Sequence, residues 1–489
     1  MMAEQKDFIV AIELGSSKVV GIAGQKKPDG SISVLAMVKE DSSSFIRKGV
    51  VYNIDKTAQC LQSMVRKLEM QLQARILQVF VGVGGQSLRS VRNSVQRDLS
   101  GINADGTAII TQEMVVELMD ENLSLEYPDQ KILDVAEQEY RVDTQLQMDP
   151  VGIRAARLEG NFLNILMRKT FFQNLNRCFE LAGIKVAEMY LAPLALANAV
   201  LTEAEKRSGC VLVDIGADTT TVTVFWKNVL RHLAVIPLGS NNITKDIATL
   251  QMEDSDAERM KLKYGSAYTD NNDIDNDLKY SIDTERQIES RKFIEIVEGR
   301  MEEIIENVWY QIPSEYYDKL LGGIILTGGG SNMKNIEKAF INHTHVDKIR
   351  IAKSITHTIN TTNEEIKAKN GMLNTVLGLL VKGDINCAGS AINPNGDLFS
   401  TQKQPVHPTN DQRPARQATD IPAGVIRTEA EKQKAEEEKR RQQEEEERIK
   451  REEELKQKEE EERIRKENST WNKLKKGILK FGKSIVEEE

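Results

Sequence analysis

Three glycine-containing turns constrain the fold of this chain more than any other feature. The first (ELGSSK, residues 13–18) and the second (DIGADTTT, residues 214–221) each lie between two apolar, strand-like runs. The third (TGGGS, residues 327–331) lies between an apolar run and a helix-like segment. Small residues let backbone N–H groups approach a phosphate, and three glycines allow close contact with a flat ribose or base. Each turn alone has an ordinary alternative: a hairpin turn, an Asx turn or a flexible loop.

Apolar periodicity predicts an α/β protein around these turns. The predicted strands are residues 8–12, 19–23, 77–83, 210–215, 220–226 and 323–326. The predicted helices are residues 58–73, 174–182, 192–201, a segment from about 335, and 374–382. Residues 86–163 read as short strands around one helix at 112–122, which indicates an inserted subdomain. Residues 240–310 read as mostly helical, with a polar interruption at 270–277.

Length and composition exclude several classes of protein. A chain of 489 residues suggests two to four domains, and its net charge of −9 disfavours general nucleic-acid binding. The four cysteines are far apart and form no CxxC pair, so we expect neither a disulfide framework nor a zinc ribbon, and we favour a reducing compartment. No segment reads as a secretory signal or as the roughly 18 apolar residues of a membrane span.

The last hundred residues differ from the rest. Residues 388–428 hold five of the 11 prolines and read as a disordered linker. The spacer that follows, residues 429–468, has 17 acidic and 13 basic residues between 429 and 467. Its Glu–Lys and Glu–Arg pairs four apart favour a solvated helix, whereas its low apolar content favours a disordered polyampholyte. Both alternatives remain open. A coiled coil is disfavoured because no apolar seam is present.

The C-terminal segment, residues 469–486, has the pattern of a basic amphipathic helix. Its apolar side chains recur every three or four residues, and lysines lie on or beside the polar face. Such a helix with Trp and Phe is typical of an in-plane membrane anchor, and the alternative is docking into the chain's own core or a partner groove. The predicted membrane-binding residues are Trp471, Leu474, Lys475, Lys476, Ile478, Phe481 and Ile485.

The order and spacing of the three turns resemble the actin/Hsp70/sugar-kinase superfamily, in which two α/β lobes clamp Mg-ATP. Further segments resemble the FtsA family of bacterial cell-division proteins, and the resemblance covers about residues 7–382. These segments are KGVVYNID (48–55), EYRVD (139–143), DPVG (149–152), LTEAEK (201–206), VIPLG (235–239), TKDIA (244–248) and AERMK (257–261).

The resemblance implies a two-lobed actin-like ATPase fold with an inserted α+β subdomain, then a disordered linker, a charged helical segment and a C-terminal amphipathic helix. The expected divisions are 1–85 and 164–208 (first lobe), 86–163 (SHS2-like insert), 209–239 and 311–387 (second-lobe core) and 240–310 (outer subdomain). It further implies a filament-forming protein that anchors the FtsZ ring to the cytoplasmic face of the cell membrane at the division septum. The implied partners are the FtsZ C-terminal peptide, other copies of the chain, anionic lipid, and later division proteins bound through residues 86–163.

The resemblance also assigns site residues, with ATP and Mg²⁺ as cofactors. The metal-side carboxylates are Glu13 and Asp214. The implied nucleotide-binding residues are Gly15, Ser16, Ser17, Lys18, Gly216, Ala217, Asp218, Thr219, Glu258, Lys261, Gly328, Gly329, Gly330 and Ser331. Arg291, Glu298 and Arg300 are candidates for FtsZ binding, and the alternative for each is a solvated helix face.

The second turn departs from the DIGGGTTD pattern of the family. Ala217 and Asp218 stand where the pattern has glycines, and Thr221 stands where it has an acid. Asp218 would place a carboxylate near a terminal phosphate, and no residue identifies itself as the base for an attacking water. We therefore expect at most slow ATP hydrolysis. The alternative functions are an actin-like pilus-assembly adaptor and a sugar kinase of the same superfamily.

Overall fold

The structure is a computed structural model that describes residues 7–99 and 106–391 together with the strand at 425–426. Its helices, in chain order, are α1 (Ile54–Leu72), α2 (Gln112–Leu123), α3 (Lys169–Ala182), α4 (Ala192–Val200), α5 (Glu203–Ser208), α6 (Ser240–Ala248), α7 (Asp254–Tyr264), α8 (Ser290–Gln311), α9 (Ile336–Thr344), α10 (Glu364–Lys367) and α11 (Asn374–Lys382).

The strands of the first half are β1 (Ile9–Leu14), β2 (Lys18–Lys26), β3 (Ile32–Asp41), β4 (Ile46–Arg47), β5 (Val50–Val51), β6 (Ala74–Ile76), β7 (Val79–Val83), β8 (Arg89–Asp98), β9 (Ala108–Ile109), β10 (Gln130–Glu137), β11 (Tyr140–Val142), β12 (Gln145–Gln147), β13 (Arg154–Ala155), β14 (Arg157–Arg168) and β15 (Val186–Leu191). Those of the second half are β16 (Cys210–Ile215), β17 (Thr220–Trp226), β18 (Val229–Ile236), β19 (Lys279–Ser281), β20 (Gln287–Glu289), β21 (Gly323–Thr327), β22 (Ile349–Ile351), β23 (Ile359–Asn360), β24 (Ala388–Ala391) and β25 (Val425–Ile426).

Two sheets with the same central arrangement form the core of the molecule. In the first sheet, of order β23-β3-β2-β1-β7-β15-β25, β1 pairs antiparallel with β2 and parallel with β7. In the second, β16 pairs antiparallel with β17 and parallel with β21. Most residues of β1, β7, β16 and β21 are buried, as expected of apolar strands covered on both faces. The predicted α/β fold with two related lobes is therefore confirmed.

Helices cover each of the two sheets, and each sheet has its own apolar cluster. Helices α1 and α3 pack together on the first sheet, and α11 packs on α4, β1 and β2. Helices α6, α7, α8 and α9 enclose the apolar cluster beside the second sheet. Asn53 caps α1 by accepting a hydrogen bond from the Lys56 N–H, and Gly183 ends α3 in the left-handed conformation.

The inserted region has longer strands than the sequence indicates. Strands β8 and β14 pair over ten residues, from Arg89 opposite Leu166 to Asp98 opposite Arg157. They are not short, and β14 continues to Arg168, past the expected end of the insert. Their periodicity is hard to read because β8 alternates partly buried with exposed polar residues rather than apolar with polar ones. A separate small apolar core with α2 lies within the region.

The insert is also attached to the second sheet. Ala234 of β18 pairs with Arg89 of β8, so the strand order continues β14-β8-β18-β17. The buried Arg231 donates to both carboxylate oxygens of Glu139, at 2.5 and 2.7 Å, and to the Gln138 side chain at 3.0 Å. The insert therefore shares a buried ion pair with the second lobe, although the chain enters it from the first.

Residues 388–428 are predicted to be a disordered linker, and this prediction does not hold at the two ends of the segment, which form short strands. Backbone pairing places Ala388–Ala391 beside β6 and Val425–Ile426 beside β15. Sheet edges carry unpaired N–H and C=O groups, so short segments can pair there even within a polar, proline-rich stretch. The remaining linker and the segments at 429–468 and 469–486, with the predicted membrane-binding residues, lie outside the described residues.

Replacing Arg231 by Ala should lower the free energy of unfolding by about 3 kcal/mol, because Glu139 is then left half-buried without its cation. Hydrogen bonding to Arg231 holds the Glu139 pKa below its usual value, so the difference between wild type and variant should shrink as pH falls toward that lowered pKa. Denaturant unfolding at pH 7.5 and pH 4 measures both. Arg177→Ala, which removes an exposed pair with Glu180, is the control and should cost under about 1 kcal/mol. An equal loss in the two variants would contradict the assignment.

Candidate functional site

The three turns face one cavity of about 890 Å³. The first and second turns lie at corresponding places in the two sheets, after β1 and after β16. The third turn follows β21, which runs parallel to β16, so its end lies at the same edge of the sheet. The cavity therefore lies where the carboxyl ends of the central strands of both lobes meet, the usual place for a ligand in α/β folds.

The first two turns are built in the same way. The Gly15 N–H donates to the Lys18 carbonyl at 3.0 Å, and the Gly216 N–H donates to the Thr219 carbonyl at 2.8 Å. A Cβ on either glycine would lie 2.9 Å from the carbonyl oxygen that closes its turn. Each turn therefore needs glycine at this position, which explains why the two motifs share it.

Two carboxylates project from the strands that lead into these turns. Oε2 of Glu13 is buried and accepts no hydrogen bond from any residue that the structure describes. Burial raises the Glu13 pKa to about 7, opposed by Lys18 and reinforced by Asp214. Burial raises the Asp214 pKa to about 6, again opposed by Lys18. The two acids therefore feel the same cation, and Glu13 also feels Asp214.

An oxygen-preferring divalent cation fits this arrangement. Two carboxylates with one lysine leave net negative charge at the base of the cavity, and Glu13 Oε2 has a free lone pair. Mg²⁺ is commonly held by one or two carboxylates plus waters and phosphate oxygens. Lys18 is held in place by donating its ammonium to the Met372 carbonyl at 3.1 Å, and burial lowers its pKa.

The other residues of the first turn contribute hydroxyl groups. Ser16 is buried, and its Oγ accepts the Gly49 N–H at 2.8 Å, whereas Ser17 is exposed on the cavity wall. The Ser42 hydroxyl donates to the Gly15 carbonyl at 2.6 Å and fixes the turn from behind. The first turn is thus fixed by hydrogen bonds from the segment 42–49, while Ser17 is free to meet a ligand.

The second turn rests on the N-terminus of α6. The N–H groups of Ser240 and Asn241 donate to the carbonyls of Gly216 and Ala217, at 3.0 and 2.7 Å. Ser240, Asn241 and Thr244 also line the cavity, and the sequence analysis missed them. The signal was a Gly-Ser-Asn-Asn helix start directly after a strand.

Glu258 and Lys261 line the cavity from α7 and bind each other. The ammonium of Lys261 is 2.6 Å from Glu258 Oε2 and donates to Thr244 Oγ1 at 2.8 Å and to the Ser240 carbonyl at 3.1 Å. The Thr244 hydroxyl in turn donates to Glu258. Lys261 therefore braces α7 against the start of α6.

The third turn closes over Asp214. Gly328 has a φ of 84°, and a Cβ there would lie 2.3 Å from the Asp214 Oδ1 atom. Gly328, Gly329 and Gly330 line the cavity, but Ser331 does not. Ser331 is buried and donates its hydroxyl to the Gly328 carbonyl at 2.7 Å. The Ser331 side chain therefore stabilises the turn from its buried side. It was predicted to contact a nucleotide, but it does not line the cavity.

Asp218 is likewise absent from the cavity lining. Its carboxylate accepts hydrogen bonds from the Lys48 N–H at 3.2 Å and from the Asn241 side-chain amide at 2.9 Å. Its neighbours Ala217 and Thr219 do line the cavity. Every other predicted nucleotide-binding residue, and both predicted metal-side carboxylates, lie on the wall of this one cavity.

The three candidates on α8 do not form one surface. Arg300 binds Asp246 of α6 through two hydrogen bonds, at 2.5 and 3.1 Å. Arg291 donates a hydrogen bond to the Asn276 side chain at 2.8 Å. Arg291 and Glu298 are seven residues apart, so they lie on the same side of the helix. Arg300 is nine residues from Arg291, which places it on the opposite side of a helix with 3.6 residues per turn.

Comparisons with known proteins identify the family. The model of the cell division protein FtsA family matches residues 211–378, and that of the SHS2 domain inserted in FtsA matches residues 85–166. Cell division protein FtsA of Neisseria meningitidis serogroup B is 33% identical over 343 residues, which are 68% of this chain and 81% of that protein. The chain belongs to the FtsA family. It is thus a cell-division protein of actin-like fold, with an SHS2 insert.

Two further likenesses agree with this assignment. Cell division protein FtsA of Pseudomonas aeruginosa is 29% identical over 409 residues, 82% of this chain and 95% of that protein. A solved PilM-PilN type IV pilus biogenesis complex matches with a TM-score of 0.52 and 14% identity, over 80% of this chain and 100% of that one. The latter shows the fold alone. The FtsA relatives and family models leave the pilus-adaptor and sugar-kinase alternatives not favoured.

No helix within the described residues is both long and apolar enough to span a membrane.

Replacing Glu13 by Gln should stabilise the ligand-free protein more at pH 8 than at pH 5. The Glu13 carboxyl group has a pKa of about 7 in the folded protein and an ordinary pKa in the unfolded chain, so its ionisation lowers the free energy of unfolding as pH rises from about 4.5 to 7. Gln does not ionise, so the variant avoids this loss. The difference between the two pH values should be on the order of 2 kcal/mol. Denaturant unfolding in EDTA measures it. The exposed Glu126→Gln variant is the control, and a pH-independent effect of Glu13→Gln would contradict the assignment.

Proposed function

We propose that this chain binds Mg-ATP in the cavity between the three turns, forms filaments and tethers FtsZ to the membrane. The observation that carries the nucleotide proposal is that Glu13 and Asp214, from corresponding strands of the two lobes, both line one cavity. Membership of a family of cell-division proteins supplies the setting.

The residues present suit the phosphate chain of a nucleotide with Mg²⁺. Backbone N–H groups of the first two turns and the Ser17 hydroxyl would hold the phosphates. Glu13 and Asp214 would hold Mg²⁺, partly through waters, and the ion would neutralise phosphate charge. The glycines at 328–330 would lie against the adenosine. We propose at most slow hydrolysis, because Thr221 lines the cavity where the family pattern has an acid.

The partner proposals rest on surfaces away from the cavity. We assign the FtsZ C-terminal peptide to the side of α8 that carries Arg291 and Glu298, since these two residues share one side of the helix and Arg300 lies on the other, bound to Asp246. Burial raises the Glu298 pKa, and its Oε1 atom is buried with no hydrogen bond from the described residues. The predicted SHS2 insert would bind later division proteins, and the net charge of −9 disfavours nucleic acid.

The location proposed is the cytoplasmic face of the membrane at the division septum, with the chain attached peripherally. The basic amphipathic pattern of residues 469–486 supports it. A single short helix binds weakly, so a filament would raise avidity by presenting many such helices to one surface.

Deleting residues 469–489 should abolish co-sedimentation with liposomes that contain anionic lipid, because the apolar face at Trp471 and its neighbours is lost. The full chain is the reference. A matched variant that exchanges Lys475 and Lys476 for Glu should weaken binding through charge alone and should lose its salt dependence. Liposome binding that persists at full strength after the deletion would rule out the tether.

Replacing Asp214 by Ala should weaken binding of a non-hydrolysable ATP analogue with Mg²⁺ by at least about tenfold, since a metal-side carboxylate is lost. Asp218→Ala should not weaken it, because Asp218 does not line the cavity. Isothermal titration calorimetry on both variants measures the order, and titration without Mg²⁺ serves as the control. The reverse order would exclude the assignment of Asp214.

A further inference from the structure

One carboxylate links the two lobes beside the cavity. The first-lobe residues Lys48 and Gly49 lie between the first and second turns, and their N–H groups point in different directions. The Gly49 N–H donates to Ser16 of the first turn at 2.8 Å, and the Lys48 N–H donates to the Asp218 carboxylate of the second turn at 3.2 Å. The second oxygen of Asp218 accepts the Asn241 side-chain amide at 2.9 Å. A single anion thus holds donors from both lobes.

The segment that donates to Asp218 is held firmly in place. Lys48 and Gly49 have φ values of 49° and 71°, in the left-handed region. Gly49 lies directly against Gly85, where a Cβ would come within 2.3 Å of the Gly49 carbonyl oxygen. The Lys48 carbonyl accepts the Gln86 N–H at 2.8 Å. Because the backbone is fixed on both sides, its contact with Asp218 is specified by the fold rather than by a flexible surface side chain.

A carboxylate in this position does what the last phosphate of a bound triphosphate would otherwise do. That phosphate would bring anionic oxygens between the two turns and accept N–H groups from both. Asp218 already supplies an anion there, from the backbone position between Ala217 and Thr219, which line the cavity. In the DIGGGTTD pattern that the second turn resembles, this position is glycine, whereas this chain has Asp218.

The charges around the site make the addition costly for a triphosphate. Glu13 and Asp214 already put two carboxylates into the cavity, and Lys18 is shared between them. Lys261 is bound to Glu258, which leaves its charge largely offset. Mg²⁺ would offset two negative charges, but a third carboxylate beside the terminal phosphate has no such cation among the described contacts of Asp218.

We propose that Asp218 is a specificity-determining residue that makes the site favour a nucleoside diphosphate over a triphosphate. Its carboxylate links the lobes in place of a terminal phosphate and repels one that enters. The inference rests on the proposed nucleotide function of this cavity and states which phosphate chain the cavity takes. It also means that the lobes can be held together while the diphosphate is bound.

The test compares Mg-ADP with a non-hydrolysable ATP analogue and Mg²⁺ on the full-length chain, by calorimetry or by competition with a fluorescent nucleotide. The wild type should bind ADP more tightly than the analogue. Asp218→Asn keeps the size and one acceptor oxygen but removes the charge. It should tighten the analogue at least tenfold and change ADP less than about threefold. Asp218→Gly should act in the same direction.

Asp347→Asn is the matched control. Asp347 is exposed and lies beside Lys348, whose carbonyl contacts Gly323 at the start of β21, the end opposite to the cavity. This variant should leave both affinities unchanged, and circular dichroism verifies that every variant is folded.

The outcomes separate the inference from the function on which it rests. Tighter binding of the analogue than of ADP by wild type, or a ratio that Asp218→Asn shifts by less than twofold, overturns the role of Asp218 while leaving nucleotide binding intact. Failure of the folded wild type to bind either nucleotide overturns the proposed function of the cavity, and the inference with it.

Discussion

The interaction on which the site depends is the electrostatic balance among Glu13, Asp214 and Lys18. Burial of two carboxylates near each other raises the pKa values of both, and one half-buried lysine offsets only part of the cost. Such an arrangement is unfavourable for stability alone, because a better-packed apolar pair would avoid the desolvation. It makes physical sense where a divalent cation and an anionic ligand supply the missing charges.

The repeated strand arrangement creates this balance. In each lobe a central strand pairs antiparallel with the strand after the turn and parallel with a third strand, and its next-to-last residue is an acid two positions before the glycine. The same N–H to carbonyl bond closes both turns. The same strand–turn–strand unit occurs once in each lobe, and the two units together bring two acids and two sets of backbone donors to one cavity. Neither lobe carries the site alone.

Much of the fold could be predicted from the sequence because its signals are local. The strands around both turns, the helix ended by Gly183 and the helix at 374–382 follow from apolar runs and turn residues. The facing of Glu13 and Asp214 could also be predicted, since it follows from the order of the motifs within a known fold family. Most of the predicted site residues that line the cavity belong to the three glycine turns, and Glu258 and Lys261 come from α7.

The rest depends on tertiary contacts that leave no local pattern. Ser331 looks like a ligand residue in a Gly-Gly-Gly-Ser turn, yet its hydroxyl turns inward to Gly328. Arg300 looks like a free surface cation, yet Asp246 from a helix 54 residues away binds it. Asp218 bonds to the backbone of Lys48, 170 residues earlier. No short window of sequence contains both members of the last two pairs, so only the folded chain reveals them.

The most direct test of the central claim is anomalous diffraction from crystals of this protein grown with Mn²⁺ in place of Mg²⁺ and a nucleotide. We expect a manganese peak between the carboxylates of Glu13 and Asp214, next to the phosphates and enclosed by the first two turns. A nucleotide bound in the cavity with its metal held away from both acids would contradict it.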